Sequence, residues 1–149
     1  MCLWNTEKGY RSFGVSKPKA CFPVYPVTSY RLIDAEDWTA DEDDPEDWDP
    51  DEEKDKIARA TVGCTMKEAC ESCFEIPEHT EGFPPTAIFV TAEDEIAEHS
   101  GKLADALTSA GIPCRIETGP TGWHGFADGT GMCMEGWPKR AADWYEQVK

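Results

Sequence analysis

The sequence has no apolar run approaching the ~20 residues that a bilayer-spanning helix requires. Its first residues, Met1-Cys-Leu-Trp-Asn-Thr-Glu-Lys, lack the charged-then-apolar order of a signal peptide. Neither a membrane span nor a secretory leader is expected, and the chain reads as intracellular, with the cytoplasm as its compartment. Positive charge is scarce. The 14 Lys and Arg stand against 30 Asp and Glu, for a net charge of -16. Nucleic acid and anionic membranes repel such a chain, so neither is expected as a partner. A disulfide framework is also unsupported. The seven cysteines are odd in number and mostly sit singly inside expected elements, which suits reduced thiols. No internal repeat is present.

What is there fits one domain. A chain of 149 residues can bury a single core, and six Trp argue for a packed interior or a ligand cleft rather than disorder. The acidity is local. Between Asp34 and Asp55 lie 14 acidic residues and one Lys, so that segment carries -13 and the remainder only -3. With Pro45 and Pro50 inside it, residues 34–55 are expected to form a flexible, solvated insert, with Trp38 and Trp48 anchoring it to the body. The tract lacks the spaced Asp/Asn and Gly of a Ca²⁺ loop.

Residues 1–18 show no clear period. Lys19-Ala-Cys-Phe-Pro-Val-Tyr-Pro predicts a buried strand ending at Tyr25 or Pro26. Residues 55–75 hold a helical pattern around Ile57, Thr61, Glu68 and Phe74, weakened by Gly63. Thr86-Ala-Ile-Phe-Val-Thr-Ala is an apolar, β-rich run of strand length. A helix is expected from about Ala97 to Ala110, with Ile96, Leu103, Leu107 and Ala110 on its buried stripe and His99 on the surface. Gly111 stands where a terminating glycine belongs and Pro113 stops continuation. Cys114-Arg-Ile-Glu-Thr is a second short strand, followed by the Gly-rich loop Gly119-Pro-Thr-Gly-Trp-His-Gly-Phe. A last helix begins near Gly136 with Pro138 in its first turn, burying Trp137, Ala141, Trp144, Tyr145 and Val148. Helices between strands imply parallel pairing.

Two positions in this frame carry chemistry. Asp94 directly follows one strand, and His124 follows the next in a loop with glycines on both sides. In open α/β sheets sites form beyond the carboxyl ends of the strands. A carboxylate there can hold an imidazole in one tautomer and stabilise the imidazolium. The imidazole can then act as general base and general acid. Glu93 and Glu95 compete with Asp94 within the same turn.

Several segments together resemble the C-terminal portion of α/β-hydrolase-fold esterases of the acetyl-esterase and dienelactone-hydrolase-like kind. Phe83-Pro-Pro-Thr-Ala-Ile-Phe-Val-Thr-Ala-Glu-Asp-Glu-Ile is similar to their strand and acid turn, and Ala106-Leu-Thr-Ser-Ala-Gly-Ile-Pro-Cys to their next helix end. Gly122-Trp-His-Gly-Phe resembles their histidine loop, and the helix from Trp137 to Trp144 their terminal helix. Lys17-Pro-Lys-Ala-Cys-Phe-Pro-Val-Tyr-Pro-Val-Thr resembles the strand after the nucleophile helix. The resemblance implies a partial α/β-hydrolase fold, with about three parallel strands, flanking helices and the acidic loop insert. It also implies a parent activity of ester hydrolysis on a small ester, without cofactor or metal, and assigns the triad acid to Asp94 and the base to His124. It departs at the nucleophile, because no Gly-x-Ser-x-Gly elbow is present. Gly14-Val-Ser16-Lys-Pro18 loses the second Gly, Ser109 lies at a helix end, and Cys64 and Cys133 lack the spacing. Without a nucleophile acyl transfer has no first step, so the chain is expected to be inactive alone.

Two other readings stay open. One is a non-catalytic interaction module or degenerate hydrolase. The other is a small zinc-binding protein using Cys64, Cys70, Cys73 and His79, four zinc-type ligands within 16 residues but in no strong pattern. A three-stranded sheet would also leave an unpaired edge, through which self-association is expected.

Overall fold

The computed structural model describes residues 14–36, 38–39, 48–72 and 75–149. It divides into two compact units, Ser29–Glu75 and the remainder.

The Ser29–Glu75 unit is helical. Helix α1 spans Tyr30–Ala35, α2 spans Pro50–Val62 and α3 spans Met66–Cys70. Tyr30, Ile33, Ala58, Met66 and Ala69 form its core, with Trp38 packed against it. The last part of the acidic tract 34–55, expected as a flexible insert, is helical from Pro50 onward. The reason is local. Asp49 caps the helix by accepting the Asp51 N–H at 2.9 Å, and Pro50 tolerates a first-turn position because its missing N–H needs no partner there. Asp51, Glu52 and Glu53 then place negative charge at the positive end of the helix dipole. Acidity that reads as repulsion between solvated side chains is in this stretch a helix start. Lys54 is buried and donates to the carbonyls of Asp34 and Glu36 at 2.8 and 2.7 Å, the orphan acceptors at the end of α1. Residues 40–47 and Phe74 lie outside the described residues.

The other unit carries the sheet. Strand β1 is Thr86–Thr91 and β2 is Cys114–Gly119, joined through helix α4 at Ala97–Ser109; helix α5 is Trp137–Val148. The strands pair in parallel, from Thr86 opposite Cys114 to Thr91 opposite Gly119. All six residues of β1 are buried, as expected of a strand covered on both faces. Its alternation splits the core. Ala87 and Phe89 join Phe126, Met134, Ala141 and Trp144 on one face. Ile88 joins Phe83, Leu103, Ala104 and Leu107 on the other.

A third strand was expected over residues 19–26. Residues 21–25 do run parallel beside β1, but only as isolated bridges at Cys21–Thr86 and Val24–Phe89. The chain hydrogen bonds there include Cys21 N–H to Pro85 O, Ala87 N–H to Cys21 O and Phe89 N–H to Pro23 O, each at 3.0 Å. A continuous parallel ladder would next need an N–H from Pro23, which has none. Among the described residues the continuous sheet therefore has two strands.

Helix α4 ends as its glycine predicts. Gly111 adopts φ 72°, its N–H bonds Thr108 O, and the Ile112 N–H reaches back to Leu107 O, both at 3.0 Å. This is a Schellman closure with its apolar contact, since Leu107 and Ile112 share one cluster. The buried face of α4 is His99, Ser100, Leu103, Ala104 and Leu107. His99 is thus a correction to the surface position expected for it. Its ring is accommodated because Nδ1 accepts the Thr28 N–H at 3.2 Å, while the Thr28 hydroxyl donates to His99 O at 2.9 Å.

Candidate active site

The strand register sets the site. Because Thr91 lies opposite Gly119, the turn after β1 and the loop after β2 leave from the same edge of the sheet. They are tied at once, as Ala92 N–H donates to Gly119 O at 2.8 Å. Two further bonds fix the loop. The Thr91 hydroxyl donates to Gly122 O, and the Gly122 N–H donates to Glu93 Oε2 at 2.8 Å. Gly122 adopts φ 110°, a region open essentially to glycine, and a Cβ there would stand 3.4 Å from Thr91 Cγ2. Further along the loop, the Thr130 N–H donates to Asp128 at 3.1 Å and holds that carboxyl below its usual range.

Asp94 and His124 meet across this edge. His124 Nδ1 lies 3.2 Å from Asp94 Oδ2 and 3.3 Å from Oδ1. The Asp94 side chain is 0% exposed and that of His124 is 39% exposed. Asp94 Oδ1 also accepts the Ile96 N–H at 2.9 Å, and Asp94 O accepts the Ala97 N–H at 2.9 Å. The carboxylate is therefore fixed by the first turn of α4 and presented to the imidazole. Of the three acids in this turn only Asp94 points inward; Glu93 and Glu95 are exposed, and Glu93 staples the loop. A buried carboxylate against a half-exposed imidazole can hold the Nδ1–H tautomer and leave Nε2 to exchange protons.

One residue near the pair has no signal in the sequence. The ring of Tyr25 packs edgewise on His124, with centroids 4.7 Å apart, and on Phe126 at 4.9 Å. The apolar run that ends at Tyr25 marks a strand, but nothing in it marks a contact to the histidine loop.

None of the candidate nucleophiles hydrogen-bonds this pair among the described residues. Ser16 and Ser109 are exposed. Ser109 ends α4, twelve residues beyond Ala97, or roughly 18 Å along the helix axis. Cys133 Sγ donates to Thr121 O at 2.8 Å. Cys64 belongs to the Ser29–Glu75 unit. Among the described residues, no serine, threonine or cysteine side chain hydrogen-bonds His124. The cysteines considered for zinc also divide. Cys64 and Cys70 pack on the helical unit's core, where burial pushes the Cys70 thiol up. His79 falls in the other unit and Cys73 lies outside the described residues. No group of three or more metal-ligand side chains occurs among the described residues. No described helix is long and apolar enough to cross a membrane.

No protein-family model matches the chain, and no curated protein matches it. Solved structures do match. An acetyl ester-xyloside bifunctional hydrolase from Caldicellulosiruptor lactoaceticus aligns with a TM-score of 0.66 at 21% identity, covering 90% of this chain and 44% of its own. The butyrate-bound esterase Est2 from Thermogutta terrifontis aligns at 0.58 and 19% identity, covering 95% and 47%. An esterase/lipase from an uncultured bacterium aligns at 0.58 and 21% identity, covering 92% and 45%. The chain spans under half the length of the esterases it matches, and over that span it has the α/β-hydrolase fold.

Proposed function

We propose that this chain is the C-terminal part of a serine ester hydrolase, supplying the acid and the histidine of a catalytic triad whose serine lies in sequence outside these residues. The observation that carries the proposal is the buried Asp94 carboxylate, 3.2 Å from His124 Nδ1 beyond the carboxyl ends of two parallel strands. The solved esterases of the same fold are consistent with it.

The chemistry follows from the geometry. Asp94 holds His124 with its proton on Nδ1, which leaves the Nε2 lone pair for the serine hydroxyl. As the serine oxygen attacks the ester carbonyl, Nε2 takes its proton. The imidazolium is stabilised by Asp94 and then protonates the departing alcohol. Water then attacks the acyl-enzyme as Nε2 takes one of its protons, and Nε2 returns that proton to the serine oxygen as the acyl–serine bond breaks and the acid is released. The oxyanion donors come with the serine half. The substrate is a small acyl or acetyl ester, and no cofactor takes part. The cytoplasm is the compartment in which reduced thiols such as those of Cys64, Cys70, Cys114 and Cys133 would persist.

The test is hydrolysis of p-nitrophenyl acetate by the chain alone and by the chain joined to a half bearing a Gly-x-Ser-x-Gly elbow. The proposal expects buffer-level rates from the chain alone and turnover from the combination. Turnover by the chain alone, or none from a folded combination, would overturn it.

A further inference from the structure

Among the described residues, two non-glycine positions have positive φ: Tyr25 at 38° and Ala127 at 49°. Neither residue type favours that region, and for a bulky side chain it is an outlier. The two positions sit on either side of one aromatic group. Tyr25 packs on His124 at 4.7 Å and 66°, and on Phe126 at 4.9 Å and 82°. Ala127 directly follows Phe126, which is buried.

Both strained conformations are pinned to the same frame. The Tyr25 N–H donates to Phe89 O at 2.8 Å, within β1. The Trp137 indole N–H donates to Ala127 O at 2.9 Å, and the Trp137 ring lies 5.0 Å from that of Phe89. Backbone strain persists only where surrounding structure over-determines it, and it concentrates at working sites. A tyrosine that merely filled the core could do so from an ordinary extended backbone.

His124 needs such a support. Its side chain is 39% exposed, and its loop is flanked by Gly122 at φ 110° and Gly125 at φ 96°. The bonds from Nδ1 to Asp94, at 3.2 and 3.3 Å, are at the long end for N–H···O. Those bonds alone leave the ring loosely held.

We propose that Tyr25 is a positioning residue for His124: its ring, held by a left-handed backbone at the end of the 21–25 segment and backed by Phe126, clamps the imidazole against Asp94. This deepens the reading of His124 as the catalytic base and rests on it.

The test does not require activity, so its failure is distinct from failure of the esterase reading. The tautomer of His124 is read from its ring ¹⁵N and ¹H resonances in the full chain, assigned by their loss in His124→Ala. Wild type is expected to show a predominantly Nδ1–H ring with a hydrogen-bonded proton. Tyr25→Phe keeps that signature. Tyr25→Leu lowers the Nδ1–H share severalfold. Tyr25→Asn, whose backbone tolerates positive φ, does the same and serves if the leucine variant does not fold. Tyr145→Leu, which removes another half-buried aromatic from the same core, leaves the signature unchanged. An unchanged signature in Tyr25→Leu or Tyr25→Asn would overturn the proposal, as would an equal loss in Tyr145→Leu.

Discussion

Two glycine-to-alanine changes, identical in chemistry, should move stability in opposite directions. Gly101 lies inside α4, and a Cβ built there meets nothing within 4 Å. Alanine loses less backbone entropy than glycine on folding, so Gly101→Ala should stabilise by about 0.5–1 kcal/mol. Gly122 lies in the histidine loop at φ 110°, with a Cβ 3.4 Å from Thr91 Cγ2 and 3.7 Å from Met132 Cε. Holding an alanine at that φ costs on the order of 1–3 kcal/mol. The loop cannot easily relax, since Gly122 is held through its N–H by Glu93 and through its carbonyl by Thr91. At roughly 2–4 °C per kcal/mol for a chain of this size, Gly101→Ala should raise Tm by about 1–4 °C and Gly122→Ala should lower it by about 2–12 °C. Thermal unfolding followed by circular dichroism reads both. A lower Tm for Gly101→Ala, or an unchanged Tm for Gly122→Ala, would show that backbone conformation does not set these two effects.

Two further predictions concern other parts of the fold. Burial pushes the Cys21 thiol up to about 11 from 9.0. The folded state therefore favours the protonated thiol, and the stability this confers is complete below pH 9 and lost as pH rises through 11. The urea unfolding free energy of wild type should fall by up to about 2–3 kcal/mol more than that of Cys21→Ala across this window; parallel pH curves would refute it. Strand β2 pairs only with β1 among the described residues, and Ile116 on it is 41% exposed. Sedimentation velocity should show concentration-dependent self-association that Ile116→Lys reduces, whereas a monomer at every concentration would contradict this.

The sequence made some of this legible because signals at different levels agreed. The β-rich run at Thr86, the glycine at 111 and the parallel strand–helix–strand order each pointed to one frame. Asp94 and His124 could be chosen because strand ends determine which loops share an edge. Other features are hidden for physical reasons. Charge density in residues 34–55 reads as repulsion, whereas Asp49-Pro50-Asp51 is also a helix start. A polar type at His99 suggests exposure, but Thr28 supplies its hydrogen bonds inside the fold. The 19–26 segment had strand character, yet Pro23 interrupts its ladder. Tyr25 was not legible at all, since neither its positive φ nor its contact with a residue 99 positions away leaves a local mark.

If Asp94 and His124 do the proton work of an ester hydrolase completed by a serine from outside these residues, turnover depends on the imidazole. Hydrolysis of p-nitrophenyl acetate by the completed enzyme, with and without that imidazole, measures the dependence. His124→Ala should lower kcat by a factor on the order of 10⁴ or more, leaving the melting curve of the chain nearly unchanged. A completed enzyme that keeps its turnover in His124→Ala would contradict the account.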